Sequence, residues 1–228
     1  AGLTEGNYLR RISHPDYNTY MDTIVLDSQN LQFDASLTPS IKADFETGDL
    51  NLFAWDYLNS KPWRAVSDQA YEGIYSVRSG DVSNGERSRM QLEIDVRKEG
   101  EVRFYRKISS EANYDFLEFF IDGQKWARWS GSHEWSEVSF HLDKGHHILE
   151  WVYSKDGSNS EGADAAWIDY VRFPRLEPPD VRLHPDSLYK EMDLNSRDTL
   201  MLHLSNSGSI PVEVMVAVQD SAAHPWIT

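Results

Sequence analysis

The segment "IDGQKWARWSGSHEWSEVSFHL", from Ile121 to Leu142, decides the predicted fold because it joins a tight turn to alternating sequence. Asp122-Gly123 is a β-hairpin turn signal, and "SEVSFHL" alternates polar with apolar residues as half-buried strands do. The segment therefore predicts antiparallel strands. It also holds three tryptophans, Trp126, Trp129 and Trp135, which are either a stacking surface or part of a buried core.

The same two-residue period recurs along most of the chain. It is clear in "RMQLEIDV", "EVRFYRKI", "HHILEWVY" and "AWIDYVRF", and turn signals such as Asn84-Gly85 and Lys144-Gly145 separate such segments. No segment has a convincing helical period. The sequence predicts an all-β protein built around an antiparallel β-sandwich.

Composition limits the function classes. The chain has 228 residues, with 22 basic against 37 acidic side chains and a net charge of -15, which repels phosphate backbones and anionic membranes. We therefore expect no nucleic-acid partner and no membrane insertion. The absence of cysteine excludes disulfides and thiolate catalysis. No signal peptide stands at the start, so we expect the chain to begin downstream of any processing.

Two proline-rich segments divide the chain into three predicted pieces. "SLTPSIK" begins at residue 36, and "FPRLEPPDVRLHP" covers 173–185, where four prolines prevent a continuous strand. The predicted modules are 1–41, 42–175 and 176–228. The middle one has the length of a complete sandwich, whereas the two flanking pieces are short for domains.

Each piece resembles a known module. The first, with "GNY", "SHPDY" and "LTP", resembles the second half of a carboxypeptidase-regulatory-like domain of transthyretin-like fold. The middle piece, with "DFETGDL", "FLEFFIDG", "WVYSKDG" and "AWIDYVRFP", resembles the jelly-roll adhesin-like modules of the MAM and cleaved-adhesin type. The last, with "LSNSGSIPVEV", resembles the opening strands of an immunoglobulin-like module.

These resemblances imply an accessory, non-catalytic fragment of a larger bacterial protein that is secreted or on the cell surface, and they favour a Bacteroidetes peptidase as the parent. Expected partners are a glycan, an extracellular protein ligand, and the remainder of the parent peptidase. Two other interpretations stay open. The fragment is a structural spacer without a ligand of its own, or, as the least favoured reading, it is a glycosidase-like enzyme.

The resemblance also implies a metal site. In related jelly rolls the first and last strands lie side by side, and an acidic residue from each binds a structural calcium ion. The matching positions are Glu46 of "DFETG" and Asp169 of "WIDYV", with Asp44 next. An acidic chain without a zinc-ligand pattern suits calcium, but two solvated or paired carboxylates explain the same residues equally well.

The tryptophan segment is the other candidate site. Trp135 is expected in the core, and Trp126 and Trp129 would point to opposite faces of a regular strand. Trp126, Trp129 and Arg128 are the candidate ligand-binding residues, because a sugar ring or a protein side chain can stack on an exposed indole bordered by polar groups. Burial of these tryptophans at the end of the sandwich is the competing interpretation.

No catalytic pattern emerges from the sequence. It lacks a nucleophile elbow, a zinc-protease helix motif and a phosphate-binding loop. His146 and His147 are adjacent and face opposite ways on a strand, so their side chains cannot point at one site. The sequence therefore predicts that the chain is not an enzyme.

Overall fold

The computed structural model describes residues 5–14, 17–26, 35, 37, 40–57, 61–185, 199, 201–212 and 214. Among them there are strands and no helix, as predicted. The strands are β1 Gly6–His14, β2 Tyr17–Leu26, β3 Lys42–Ala43, β4 Arg64–Val66, β5 Ser76–Arg78, β6 Arg87–Lys98, β7 Gly100–Ser109, β8 Phe116–Ile121, β9 Gln124–Trp129, β10 Ser132–Leu142, β11 Gly145–Ser154, β12 Ala165–Arg172, β13 Arg175–Leu176, β14 Val181–His184 and β15 His203–Asn206.

Two antiparallel sheets form the sandwich. The six-stranded sheet has the order β10-β7-β12-β5-β4, with β3 paired to β12, and the five-stranded sheet has the order β13-β6-β11-β8-β9. The pairing of β3 with β12 places Lys42 opposite Arg172 and Ala43 opposite Val171. The first strand of the sandwich therefore lies beside β12, the strand that carries Asp169, as the resemblance implied.

Alternating side chains of both sheets meet in an aromatic core. Phe104 on β7 is fully buried and contacts Phe119 at 4.9 Å and Trp151 at 5.4 Å between ring centroids, which joins the two sheets. Such tilted and edge-on ring pairs add to the stabilisation that burial provides. Every second residue of β6, from Met90 to Val96, is also buried, as its sequence period predicted.

The hairpin at the quoted segment forms as expected. Asp122 and Gly123 have φ angles of 53° and 75°, the left-handed values that a two-residue hairpin turn requires. β8 and β9 pair across this turn. The antiparallel all-β fold class is confirmed.

The chain divides into two compact units, Ala1–Glu177 and Pro178–Thr228. The first contains the β1–β2 hairpin and the sandwich, and in the second β14 pairs with β15. Much of the modules predicted at 1–41 and 176–228 lies outside the described residues, so the three-module division stays a prediction. The described residues include no helix long and apolar enough to cross a membrane.

Candidate functional site

The first candidate site consists of Asp169 and Glu46, whose carboxylates hold the surface loop 67–75 over the outer face of β12. Asp169 is fully buried beneath this loop. Its carboxylate accepts hydrogen bonds from the backbone N–H groups of Tyr71 at 2.8 Å, Glu72 at 3.2 Å and Tyr170 at 2.6 Å. Asp169 therefore fixes the path of the loop across the sheet.

Glu46 holds the other end of the same loop. Its carboxylate accepts hydrogen bonds from the N–H groups of Ile74 and Tyr75, each at 3.0 Å. Gly73 lies directly against this carboxylate with a φ of 67°, and a Cβ atom there would come within 3.0 Å of the Glu46 side chain. Only glycine combines that backbone angle with such a close approach.

Burial raises the pKa of Asp169 to about 6, against the lowering effect of its backbone hydrogen bonds. The negative charge of Glu46 raises that pKa further. Phe45 and Tyr170, their chain neighbours, have left-handed φ angles of 58° and 50°. Such angles are costly for bulky residues and reorient the backbone beside each carboxylate.

These residues fit a calcium ion in their chemistry. Calcium prefers hard oxygen ligands, and a cation near Glu46 and Asp169 would offset the repulsion between two carboxylates of which one is buried. The backbone N–H groups of the loop already donate to both. Asp44 is placed differently, because its carboxylate accepts the N–H of Glu46 at 3.4 Å and pairs with Lys42 at 3.3 Å.

An aromatic cluster lies on the outer face of the six-stranded sheet, where loop 67–75 crosses it. Tyr71 stacks on Tyr105 of β7, with ring centroids 3.4 Å apart and planes 11° apart, and meets Trp135 of β10 edge-on at 6.5 Å. Tyr71 is 44% exposed. Burial, a hydrogen bond with Tyr71 and the charge of Glu137 raise the pKa of Tyr105 to about 12. We call Tyr71, Tyr105 and Trp135 the tyrosine cluster.

The expectation that Trp135 lies in the core is wrong. The register of β10 against β7 shifts between His133 and Ser136, after which Val138 and Phe140 alternate toward the core. Trp135 falls within that shift, is only partly buried and contacts Tyr71 on the outer face. Trp135 and Val138 are three positions apart, so plain alternation sets them on opposite faces, as observed. The expectation failed because it rested on the general tendency of tryptophan to be buried.

The other two tryptophans lie at the edge of the sandwich. The register of β8 against β9 shifts between Phe119 and Phe120, and Trp126 is the residue left unpaired. Trp126 contacts Phe140 at 6.4 Å, and Trp129 contacts Phe104 at 6.4 Å. The bulge therefore brings both indoles to the core side of β9, which a regular strand would prevent. Trp126 keeps 49% of its surface exposed.

Arg128 is separate from that pair. Its guanidinium lies 4.6 Å from the ring of Phe116, and β-pairing sets it opposite Glu118 on the other face of the sheet. The interior cation at this edge is Arg106, which lies 4.9 Å from the Trp129 ring. Burial lowers the pKa of Arg106. The proposed trio of Trp126, Trp129 and Arg128 thus does not form one surface, and its role in binding stays a prediction.

Sequence reasoning missed Tyr71 and Tyr105. They are 34 positions apart, and no local pattern joins a loop tyrosine to a strand tyrosine. The signal that pointed to this place was the Glu46 and Asp169 pair, because the loop these acids hold is the loop that carries Tyr71.

Comparison with known proteins gives fold similarity alone. No protein-family model and no curated protein matches the chain. Among solved structures, the CBM22-1 xylan-binding domain of Paenibacillus barcinonensis Xyn10C is 17% identical with a TM-score of 0.42, covering 60% of this chain and 92% of that one. A cleaved adhesin domain of Lys-gingipain from Porphyromonas gingivalis is 12% identical with a TM-score of 0.45, covering 60% and 98%.

A third similar structure is the secreted serine protease VesC of Vibrio cholerae, 13% identical with a TM-score of 0.46, covering 77% of this chain and 42% of that one. All three identities and scores are too low to assign a function. The class that the structure itself defines is an all-β protein with an antiparallel β-sandwich of jelly-roll type.

Proposed function

We propose that the chain is a non-catalytic, extracellular binding module that holds a carbohydrate on the outer face of its six-stranded sheet. The observation that carries the proposal is the tyrosine cluster, in which the exposed loop tyrosine stacks on a strand tyrosine and meets an indole edge-on. Aromatic rings with an apolar face and a polar edge suit ligands that are part apolar and part hydrogen-bonding.

The surroundings of the cluster supply hydrogen-bonding groups. Glu137 lies opposite Tyr105 in the register of β10 and β7, and it forms ion pairs with Arg103 and Arg172. Charged groups that are already paired can exchange one partner for a sugar hydroxyl at small cost. An exposed aromatic ring bordered by such pairs favours a sugar over a large apolar partner.

Calcium has a structural role in this proposal. Glu46 and Asp169 would hold the ion, which would add positive charge beneath loop 67–75 and keep Tyr71 in place above Tyr105. If so, a chelator lowers the melting temperature of the wild type and leaves that of Glu46→Ala unchanged. An identical wild-type melt in chelator and in calcium contradicts the calcium part and leaves the binding surface untouched.

The test of the binding function is a glycan array probed with the full chain. Tyr71→Ala and Trp135→Ala should each abolish the signals of the wild type, and Trp126→Ala is the matched aromatic control at the other edge of the sandwich. Signals lost only in Trp126→Ala would move the site to that edge. No signal from the folded wild type, on glycans or on matrix proteins, would favour the structural-spacer interpretation.

The same proposal also predicts the kind of protein to which the module is attached. A module of this kind targets or attaches a larger secreted or cell-surface protein, and the resemblance of its parts favours a peptidase as that protein. Co-purification of the chain with a catalytic partner, followed by identification of that partner by mass spectrometry, tests this setting. Purification without any partner contradicts a stable complex with the remainder of a peptidase.

A further inference from the structure

A groove of about 440 Å³ lies on the outer face of the six-stranded sheet, next to loop 67–75. Its lining includes Arg64, Ser67, Asp68, Arg78, Asp81 and Trp167. The register explains the arrangement, because Arg78 of β5 lies opposite both Arg64 of β4 and Trp167 of β12. Trp167 in turn lies opposite Lys107 of β7, so three cations and one indole form a row across four strands.

Two of these three cations, Arg78 and Lys107, are held against the sheet, whereas the Arg64 side chain is 46% exposed. The Arg78 side chain is 14% exposed, lies 5.7 Å from the Trp167 ring and donates to the carbonyl oxygen of Ala163 at 3.4 Å. The Lys107 side chain is 15% exposed. Their positions are therefore set by the fold before any ligand arrives.

The acidic partners of these cations are exposed. Asp81 accepts hydrogen bonds from Arg78 at 2.5 Å and from Arg64 at 3.1 Å, yet 72% of its side chain is exposed. Glu134 pairs with Lys107 at 2.7 Å with 85% of its side chain exposed. An exposed carboxylate gains little from such a pair and is readily displaced by another carboxylate.

Trp167 lines the groove but is only 3% exposed, and its indole nitrogen is buried. Trp167 therefore contributes an apolar surface beside Arg78 and not a hydrogen-bond donor to a ligand.

We infer that this groove binds the carboxylate of an acidic sugar, a uronate residue of the glycan held by the tyrosine cluster. This inference rests on the proposed function. The ligand carboxylate would replace Asp81 between Arg64 and Arg78, because planar guanidinium groups bind a carboxylate through two parallel hydrogen bonds. The overall charge of -15 repels anions at long range, so the affinity for a uronate comes from the two arginines that line the groove.

The test compares two polymers, polygalacturonate and its methyl ester, in which each carboxylate charge is replaced by a neutral ester. The full chain should bind polygalacturonate at least about tenfold more tightly, since a charge-assisted pair contributes about 1.5–3 kcal/mol and 1.4 kcal/mol is tenfold. Arg64→Gln should remove that preference, whereas Asp81→Asn should strengthen binding because it removes the competing carboxylate. Arg182→Gln, which changes an exposed arginine of the other unit, is the control.

Equal binding of the two polymers, or binding of neither, overturns the inference. Weaker binding by Asp81→Asn also overturns it, because Asp81 would then hold the groove open instead of occupying the ligand position. These failures are distinguishable from failure of the proposed function. Suppose that neutral glycans bind, that Tyr71→Ala abolishes this binding, and that the two polymers bind alike. Only the uronate inference is then lost.

Discussion

Replacing Gly73 with alanine tests whether the Glu46 carboxylate really holds loop 67–75. An added Cβ at Gly73 would come within 3.0 Å of the Glu46 carboxylate, so the side chain has to leave the N–H groups of Ile74 and Tyr75. Gly123 is the matched control. It also has a left-handed φ, of 75°, but a Cβ there meets nothing within 4 Å.

The two substitutions share one cost and differ in another. Placing alanine in the left-handed region costs about 1–2 kcal/mol at either position. Gly73→Ala additionally loses hydrogen bonds to a charged group, about 1.5–3 kcal/mol, reduced toward the lower value because Glu46 is exposed and water replaces part of the loss. We expect Gly73→Ala to lower the free energy of unfolding by about 3 kcal/mol and Gly123→Ala by about 1 kcal/mol.

Urea denaturation followed by tryptophan fluorescence measures both values, and a double-mutant cycle separates the causes. In a Glu46→Ala background the clash is gone, so Gly73→Ala should then cost no more than Gly123→Ala. Equal costs for the two glycines in the wild-type background would refute the described position of Glu46. So would a full Gly73→Ala penalty that persists without Glu46.

Further predictions concern the buried charges and the core of the sandwich. Lys155→Met should lower the free energy of unfolding by about 3–5 kcal/mol at pH 7, because the buried Lys155 ammonium pairs with Asp115 at 3.1 Å and Asp164 at 2.7 Å. A loss below about 1 kcal/mol by urea denaturation would contradict a buried ion triad. Although burial alone would raise it, hydrogen bonds from Ile148 and His147 hold the pKa of Asp122 below its usual 3.8. The stability that Asp122 contributes is therefore complete above about pH 4 and is lost as the pH falls through the lowered pKa. Melting temperatures between about pH 2 and pH 5 should depend less on pH in Asp122→Asn than in the wild type. Identical acid profiles would count against the pairing. Phe104→Ala, at a fully buried site between the sheets, should cost about 3–5 kcal/mol by the same denaturation assay; a cost near 1 kcal/mol would mean that the sheets do not meet there.

The strands followed from the sequence because their signal is local. "RMQLEIDV" and "SEVSFHL" carry a two-residue period that the sheets realise, and Asp122-Gly123 forms the turn its residue types require. Local period fails where a bulge adds a residue. Trp126 and Trp129 were assigned to opposite faces because that expectation assumed an unbroken strand. Trp135 was misplaced for another reason, because its burial was inferred from the general tendency of tryptophan.

Sequence reasoning predicted only part of the candidate site. Glu46 and Asp169 are 123 positions apart, and they were paired through a family resemblance that set the first strand beside the last. The stacking of Tyr71 on Tyr105 had no such guide, because it depends on how a loop crosses a sheet. Chain separation hides such contacts, and only the packing of the loop on β7 and β12 shows them.

The most direct test of the central claim is the affinity of the full chain for the strongest glycan of the array, measured by titration calorimetry for the wild type, Tyr71→Ala and Trp126→Ala. Truncating a central aromatic contact costs at least about 2 kcal/mol, or about 30-fold. The account predicts that loss for Tyr71→Ala and a wild-type affinity for Trp126→Ala. An unchanged affinity in Tyr71→Ala, with binding lost in Trp126→Ala, would contradict it and place the ligand at the edge formed by β9 and β10.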